Sequence, residues 1–335
     1  MVIRLIEDKE MWDKFIDQSS HGLLFHKWDF LKIMERHTGY ELLPYGIYHG
    51  SILICLIPLF FKKLNGIKTI FSPPLTTGAV SLGFVMNKEF DTLKQNKKET
   101  YLNIVTEGFN EEIKKFSANY VRITLVQNFL DTRSFQLSDY NATPYFTYVL
   151  DLNLSLDEIY NGFKKELRGE LKKVDESKFK LLESHDVSTF YELEKEKYIK
   201  KGLPDAILSK NYLEDLLNKY PENLKLTFTY DSDNDIIVTQ LSCEYKDRFI
   251  MWQGGAKSQK YSYINEYRTW ELIKRAKNAG YKKLDFGGGP KNLSLFKSKF
   301  NPTLEMYFTI EKKDKLGKLA EWSYMNFAKI IGLHM

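Results

Sequence analysis

The sequence predicts an α/β (α+β) protein made of two units of the same build, and three observations lead to this prediction. The chain has 335 residues, which is more than one ordinary hydrophobic core requires and which suits two domains. Hydrophobic residues make up 43% of the chain and aromatic residues 15%, enough for two well-packed interiors. Helical and strand-like segments alternate along most of the chain, which is typical of α/β and α+β domains.

An internal repeat favours two units over one large one. The segments EEIKKFSANYVRITL at 111–125 and ELIKRAKNAGYKKLDF at 271–286 share an acidic residue, Ile-Lys, an aromatic Tyr and then a strand. The spacing from Ile to Tyr differs by one residue between them. The repeat places a helix followed by a strand at the equivalent point of each half.

The first half is predicted to begin with two short helices, at 9–18 and 26–37, because apolar residues recur at helical spacing there. The apolar run Ser51–Phe61 is too short to span a bilayer and contains Pro58, so it is predicted to be a buried strand. The other elements predicted in this half are strands at Leu43–His49, Thr69–Phe71 and Tyr120–Val126, a helix at about 97–116, and a polar, irregular segment at Leu130–Pro144.

The second half is predicted to open with strand Phe146–Leu152 and one helix at about Ser155–Ser177. Ser155 is the expected N-cap of this helix, and Glu158 completes a capping box. The remaining predicted elements are strand 180–183, helices near 187–201 and 209–220, strands 224–230, 236–245 and 247–253, helix 266–279, strand 282–286, a short helix at 293–299, strand 303–310 and a helix at 316–331.

Composition excludes several classes of protein. The net charge of +5, from 49 basic and 44 acidic residues, is too mild for a nucleic-acid footprint by itself, although it suits a substrate with phosphates or carboxylates. The two cysteines, Cys55 and Cys243, lie far apart without a CxxC or His companion, so neither a disulfide framework nor a metal site is expected. The charged amino-terminal segment lacks an apolar signal core, and we expect a cytoplasmic protein without an integral membrane segment.

Three common catalytic motifs are missing from the sequence: GxSxG, GxxxxGK[ST] and HExxH. The segment KKLDFGGGPKNLSLFKSKFNP, at 282–302, instead places a glycine turn after a predicted strand. The turn is not a dinucleotide fingerprint, because it comes late in the chain and Pro290 follows it at once. Exposed backbone N–H groups near Lys291, Lys297 and Lys299 would suit an anion or a developing oxyanion. The alternative interpretation is a tight corner followed by a solvated basic helix.

A basic run, KKELRGELKK at 164–173, has two interpretations. Most of its lysines and glutamates are spaced to pair along an exposed helix face. Arg168 is the residue we single out, because its guanidinium group suits two-pronged binding of a phosphate or carboxylate.

Four segments resemble the FemAB family and occur in the order expected for it. They are LLFHKWDFLKIMERHTGYELLPYGIY at 23–48, YVLDLNLSLDEIYNGFKKELRGELKK at 148–173, MWQGGAKSQKYSYINEYRTWELIKRAKNAGYKKLDFGG at 251–288 and LSLFKSKFNP at 293–302. The first resembles a Trp-containing helix with a lysine four residues later. The third and fourth resemble a strand, loop, helix and strand that end in an Asp-Phe-Gly-Gly turn, followed by a Phe-Lys-x-x-Phe ending.

The resemblance implies two acetyltransferase-like (GNAT) domains in tandem, with mixed central sheets flanked by helices. The first would cover 1–145, joined by the helix of 316–335, and the second 146–315. Family members transfer an aminoacyl group from aminoacyl-tRNA to an amine, commonly on a peptidoglycan precursor. The implied partners are therefore an aminoacyl-tRNA donor and a phosphorylated, amine-bearing acceptor, without a further cofactor. The long coiled-coil arm of some members is expected to be absent, because the predicted 155–177 helix has no antiparallel partner of similar length.

The resemblance also implies residues that bind substrate. Lys32 aligns with a lysine that contacts the phosphorylated acceptor, and Trp28 begins the same helix. Arg168 aligns with an arginine that has the same task. Tyr263 and Tyr267 lie where tyrosines or polar residues line the acceptor channel.

Lys297 aligns with the lysine that steadies charge in the transition state of the family, and Lys299 lies close to it in sequence. The sequence departs from the family pattern at three places: Glu166-Leu167 before the arginine, Gly169 after it, and Asn301-Pro302 in place of glycine. These departures bear on the identity of the acceptor more than on the fold.

Acyl transfer to an amine requires an uncharged amine, aligned reactants and a stabilised oxyanion. Lys297 and the N–H groups of Gly287, Gly288 and Gly289 are the candidates for oxyanion binding. Because no His or Cys is placed as a covalent nucleophile, we expect direct attack by the amine. Asp285 is a candidate proton acceptor, but a structural cap on the turn is the favoured interpretation.

Two other functions remain open from the sequence. An acyl-CoA-dependent N-acyltransferase would share the fold, but GNAT enzymes that bind CoA usually carry a [QR]xxGx[GA] loop. The corresponding loop here, QGGAKSQKYSYINE at 253–266, lacks that spacing. The second alternative is a non-catalytic binding module that keeps the scaffold.

Overall fold

The computed structural model describes residues 2–200, 208–256, 261 and 263–330. The chain separates into two compact units: Met1–Tyr145 with Met306–Met335, and Phe146–Glu305. Residues 306–315, which the sequence analysis placed in the second domain, thus belong with the first unit. The reason is strand pairing, since Thr309–Lys313 runs antiparallel to Tyr120–Thr124.

The elements of the first part of the chain are close to those predicted. They are β1 (Val2–Leu5), α1 (Lys9–Gln18), α2 (Trp28–Thr38), β2 (Glu41–His49), β3 (Ile52–Leu64), β4 (Ile67–Ser72), β5 (Val85–Met86), α3 (Gln95–Phe116), β6 (Tyr120–Thr124) and α4 (Arg133–Gln136).

The rest of the chain alternates strands and helices as expected. It contains β7 (Asn141–Asp151), α5 (Leu156–Gly162), α6 (Lys165–Leu171), β8 (Lys180–Ser184), α7 (Val187–Lys200), α8 (Lys210–Lys219), β9 (Leu224–Tyr230), β10 (Ile236–Tyr245), β11 (Arg248–Ala256), α9 (Ile264–Asn278), β12 (Lys283–Asp285), α10 (Lys291–Lys297), β13 (Thr303–Lys313) and α11 (Lys315–Ile330).

The first unit contains a mixed sheet in the order β1-β2-β3-β4-β6, with the last part of β13 on β6. Its strand pairs are antiparallel except for β4 and β6, which run parallel and are joined across α3. Apolar side chains of the sheet, such as Ile57 and Ile123, pack with Val105 and Phe109 of α3 into one core.

The second unit repeats this build. Its sheet has the order β8-β9-β10-β11-β12-β7, antiparallel except for the parallel pair β11 and β12, which is joined across α9. The core contains Leu167, Phe249, Leu272 and Leu284. The prediction of an α/β fold with mixed central sheets flanked by helices is confirmed, and the sequence repeat falls on the equivalent helix and strand, α3–β6 and α9–β12.

The single helix predicted at 155–177 is wrong in its extent. The structure breaks it into α5 and α6, with extended backbone at Phe163 and Lys164, and adds one 3-10 turn at Glu176–Lys178. The predicted capping box of Ser155 and Glu158 is present at the start of α5. The break lets Phe163 and Leu167 both enter the core, where they are 2% and 0% exposed.

The last helix, α11, has a defined inner side within the first unit. Asp314 precedes the helix and accepts hydrogen bonds from the Gly317 N–H and from Asn119 Nδ2, both at 2.8 Å. A Cβ at position 317 would lie 2.1 Å from the Asn119 carbonyl oxygen, so only glycine permits this approach.

Each unit contains one free, buried cysteine, Cys55 in β3 and Cys243 in β10. Burial raises the pKa of both thiols, so neither is an activated nucleophile. Within the part of the chain that the structure describes, no group of His, Cys, Asp and Glu could hold a metal ion. No helix among the described residues is both long and apolar enough to cross a membrane.

Candidate active site at the glycine turn

The glycine turn connects β12 to α10 and has the backbone conformation that its sequence suggests. Gly287 and Gly289 have φ values of +72° and +148°, which non-glycine residues rarely adopt. Pro290 is the N-cap residue of α10, which begins at Lys291. The turn therefore exposes backbone at the end of a strand, next to the start of a helix.

Asp285 stabilises the glycine turn through its side chain. Its side chain is buried and accepts hydrogen bonds from the Thr147 hydroxyl and from the Gly287 N–H, the latter at 2.8 Å. Arg248 forms an ion pair with its other oxygen at 2.9 Å. Both oxygens of Asp285 are thus engaged, which is the set of contacts expected of a structural cap on the turn.

Arg248 and Glu305 complete this support, and sequence reasoning missed both. Arg248 contacts Glu305 at 2.8 Å, and Lys283 contacts the other Glu305 oxygen at 2.6 Å. Burial alone would lower the pKa of Arg248, but the negative charges of Asp285 and Glu305 have the larger effect, so the net pKa is raised. Burial raises the pKa of Glu305, but Lys283 and Arg248 outweigh it and the pKa is lowered. Only the folded sheet brings these residues together, so no local pattern could have revealed them.

Lys297, the last residue of α10, reaches back to the glycine turn. Its side chain is 7% exposed, and its Nζ donates to the carbonyl oxygens of Gly287, at 2.9 Å, and Gly288. Burial lowers the pKa of Lys297 to about 8, although the charge of Asp285 opposes this. A buried ammonium group that titrates near neutral pH is typical of functional sites.

The turn offers fewer oxyanion donors than the sequence suggested. The Gly287 N–H is bound to Asp285 and is not free for a ligand. In the described part of the chain, the N–H groups of Gly288 and Gly289 have no hydrogen-bond partner. Lys297 and these two N–H groups are therefore the remaining candidates for oxyanion binding at the turn.

Lys299 has different contacts from Lys297. Its Nζ lies 3.0 Å from Glu266 of α9 and 3.8 Å from Glu170 of α6. Burial lowers the pKa of Lys299, but the bond to Glu266 and the nearby carboxylates outweigh it and the pKa is raised. The structure thus places Lys299 in an ion-pair network and not on the glycine turn.

Arg168 binds backbone carbonyl groups at the break between α5 and α6. Its Nη1 donates to the carbonyl oxygens of Asn161, at 2.6 Å, and Phe163, at 2.7 Å. Among the residues that the structure describes, no partner is bound to its Nε or Nη2. The side chain therefore has a structural contact and retains donors for a ligand.

The two predicted channel tyrosines belong to an aromatic cluster. Tyr267 is buried, and its ring centroid lies 5.3 Å from that of Phe179. Burial raises the pKa of Tyr267. Tyr263 is half-buried at the N-cap position of α9, 6.4 Å from the same phenylalanine.

Lys32 and Trp28 lie in the first unit, on α2. Lys32 is 46% exposed and forms an ion pair with Glu35 at 2.6 Å. Trp28 packs edge-to-face against Trp12 at a centroid distance of 5.9 Å. Both side chains thus have contacts within their own unit.

A buried polar cluster near the end of β11 was also missed from the sequence. Lys197 of α7 donates to the Gly254 carbonyl at 3.1 Å and forms an ion pair with Glu194. The buried Glu194 accepts a hydrogen bond from Thr239 at 3.0 Å. Gly254 has a φ of +141°, and a Cβ there would lie 2.3 Å from the Thr239 carbonyl oxygen. The Gly-Gly pair in MWQGGAK was the available signal for this close approach.

Arg268 of α9 extends the polar cluster. Its side chain is buried and its Nη1 donates to Gln240 of β10. Burial lowers the pKa of Arg268 to about 10, although the charges of Glu194 and Glu266 oppose this. The cluster stabilises the part of β11 that continues beyond its three-residue pairing with β12.

Comparison with known proteins agrees with this architecture. Residues 161–297, which include Arg168 and Lys297, match the family model described as "Acetyltransferase (GNAT) domain". No match was found among the curated proteins.

Several solved structures share the fold over nearly the whole chain. The structure titled "Crystal structure of FemX" has a TM-score of 0.70 at 13% identity and covers 92% of this chain and 97% of its own. L-PGS from Bacillus licheniformis has a TM-score of 0.56 at 11% identity, with 94% and 95% coverage. A tandem GNAT protein from the clavulanic acid biosynthesis pathway has a TM-score of 0.55 at 7% identity, with 93% and 97% coverage.

The matched domain and these solved structures show a tandem GNAT-like fold. The likeness to FemX over nearly the whole chain confirms the FemAB-like fold that the sequence resemblance implied.

Proposed function

We propose that this protein is an N-acyltransferase that transfers an aminoacyl group from aminoacyl-tRNA to an amine of a phosphorylated cell-envelope precursor. The observation that carries the proposal is the buried Lys297, whose Nζ donates hydrogen bonds to the carbonyl oxygens of Gly287 and Gly288 in the glycine turn. The likeness in fold to FemX and to L-PGS supports the choice of an aminoacyl donor.

The chemistry proceeds by direct attack. The uncharged acceptor amine adds to the carbonyl carbon of the aminoacyl ester, and the resulting oxyanion lies near Lys297 and the N–H groups of Gly288 and Gly289. The carbon–oxygen bond to the tRNA ribose then breaks, and the amine's proton passes to the departing ribose oxygen. A covalent thiol intermediate is not part of this proposal, because Cys55 and Cys243 are buried and the pKa of each thiol is raised.

The remaining roles are assigned by the family resemblance and by the free donors. Arg168 would bind an acceptor phosphate through its Nε and Nη2 groups. The resemblance also makes Lys32 of the first unit a candidate for substrate binding. Tyr263 would contact the acceptor from the start of α9. Tyr267 and Lys299 would support the site through the aromatic cluster and the ion pairs described above.

The test is a transfer assay with the purified protein and a peptidoglycan-type precursor peptide as acceptor. Donors are a mixture of tRNAs charged with radiolabelled amino acids and, separately, a set of acyl-CoA thioesters. We expect label to move from tRNA to the acceptor, and the Lys297→Ala variant to lose at least about 100-fold in kcat, as for other single oxyanion donors. Lys291→Ala, an exposed lysine at the other end of α10, is the matched control and should keep full activity.

The matched "Acetyltransferase (GNAT) domain" favours a second candidate, an acyl-CoA-dependent N-acyltransferase. Transfer from acyl-CoA but not from charged tRNA would replace the first proposal with this one. Binding of either donor without transfer would favour the non-catalytic module. A Lys297→Ala variant that folds and keeps full turnover would remove Lys297 from the mechanism.

A further inference from the structure

One helix of the first unit presents apolar and basic side chains outward together. The inner side of α11 is fixed by the close approach of Gly317 to Asn119 and by an ion pair of Glu321 with Lys313 at 2.6 Å. These contacts determine which side of the helix faces away from the unit. The described outer face of α11 consists of Lys315, Leu316, Lys318, Leu319, Trp322 and Ser323.

The apolar members of this outer face are large and well exposed. Leu316 is 53% exposed, Leu319 58% and Trp322 65%. Their spacing of three residues keeps them on one side of the helix. Three large apolar side chains in one row are more than the single exposed leucines that any protein surface carries.

The basic members of the outer face are uncompensated. Within the chain as described, Lys315 and Lys318 form no ion pair, whereas the neighbouring Lys313 is bound to Glu311 at 3.1 Å and to Glu321 at 2.6 Å. The outer face of α11 therefore has positive charge beside its apolar row, and it complements a negatively charged surface.

We infer that the outer face of α11 binds the surface of an anionic lipid bilayer. Amphipathic helices that lie in the membrane interface combine Trp and Leu with lysines in this way, and tryptophan prefers the depth of the lipid headgroups. A protein partner fits less well, because the centres of protein interfaces are depleted in lysine. The helix lies along the bilayer surface in this arrangement and does not cross it. The inference does not depend on the proposed transfer reaction.

The test is co-sedimentation of the full-length protein with vesicles of phosphatidylcholine, with and without about one third phosphatidylglycerol. We expect binding to the anionic vesicles that weakens with added salt, and little binding to the neutral ones. The Leu319→Ser/Trp322→Ser double variant should bind at least about tenfold more weakly. The Lys315→Gln/Lys318→Gln variant should lose the salt-dependent part of the binding. Leu137→Ser, at another leucine of the first unit that is 87% exposed, is the matched control and should bind as the wild type.

Circular dichroism melting checks that the variants fold, which we expect because all four positions are exposed. The single variant Trp322→Gln serves if the double variant does not fold. Wild-type protein that stays in solution with anionic vesicles overturns the inference, as does a folded α11 variant that binds as tightly as the wild type. Self-association of the wild type, measured by light scattering and abolished by Leu319→Ser, would instead make this face an interface with a second copy.

Discussion

The ammonium group of Lys297 is buried and its pKa lies near physiological pH, so the proposed mechanism should depend on pH. Burial lowers the pKa of Lys297 to about 8. The charged form that would stabilise an oxyanion is therefore lost as the pH rises through that value. We expect kcat to fall above about pH 8. The Lys297→Arg variant keeps its charge and should show a lower kcat without this fall.

The measurement is the kcat of wild type, Lys297→Arg and the control Lys291→Ala between about pH 6 and pH 10. The control should follow the wild type. The same descending limb in Lys297→Arg would show that another group is responsible for it.

The same residue gives a prediction for stability with the opposite sign. Between about pH 8 and the ordinary lysine pKa of 10.5, the unfolded chain holds a proton at position 297 and the folded chain does not. Stability contributed by this group therefore rises with pH across that window, by up to about 3 kcal/mol. Urea unfolding of the wild type and of Lys297→Met at pH 7 and pH 10 measures it. The wild type should gain stability relative to the variant at pH 10, and an unchanged difference contradicts the assignment of a lowered pKa.

At the scale of elements, the glycine pair in β11 allows the cost of backbone strain to be separated from the cost of a steric clash. Gly254 and Gly255 both have positive φ values, but a Cβ at 254 would lie 2.3 Å from the Thr239 carbonyl oxygen. A Cβ at 255 would meet only the flexible Lys197 Nζ, at 3.8 Å. Gly255→Ala should cost about 1–3 kcal/mol from backbone strain, and Gly254→Ala distinctly more.

Thermal and urea unfolding of the two alanine variants provide this comparison. Each variant serves as the control for the other, since both introduce the same side chain one residue apart. Equal losses of stability would mean that β10 shifts to relieve the contact at Gly254.

Most elements were predictable because apolar spacing and turn residues determine them locally. The break between α5 and α6 was not, since it depends on the Arg168 guanidinium binding the Asn161 carbonyl and on a bond from the Lys164 N–H to the Lys299 carbonyl at 2.9 Å. The second of these joins residues that are far apart in sequence. The affiliation of residues 306–315 likewise depends on pairing of β13 with β6.

The residues of the candidate site were likewise predictable only where they lie close together in sequence. The glycine turn and Lys297 lie within one short segment, so the motif could indicate both. Arg248 lies 37 residues before Asp285, and Lys197 lies 57 residues before Gly254. Such pairs carry no local signature, and only the sheet order places them in contact.

At the scale of the whole molecule, two units of the same build differ at the equivalent strand end. In the second unit, β12 is followed by the glycine turn and Lys297. In the first unit, β6 is followed by Leu125 and Val126, which are 0% and 2% exposed and belong to the core. This difference favours the second unit as the location of the proposed transfer reaction.

The contact between Gly317 of α11 and Asn119 can also be tested on the whole molecule. Gly317→Ala places a methyl group 2.1 Å from the Asn119 carbonyl oxygen, so α11 should detach from its position or shift. We expect faster hydrogen exchange in α3, β6 and α11, with little change at β9 and β10 of the second unit. Because Gly317→Ala raises the helix propensity of α11, faster exchange in that variant must come from the clash. Ala320→Gly, one turn along the same helix, lowers helix propensity without adding a clash and shows the exchange of a helix that is only weakened. Exchange that accelerates equally in both units would contradict a local effect.

The two native cysteines allow the unfolding of each unit to be followed without introducing another cysteine. Cys55 reports on the first unit and Cys243 on the second, and both are inaccessible to alkylating reagents while their strands stay paired. A brief pulse of iodoacetamide during denaturation, followed by mass spectrometry of the two tryptic peptides, would time the opening of each unit separately. The wild-type chain can therefore show whether its halves melt in one step or in sequence.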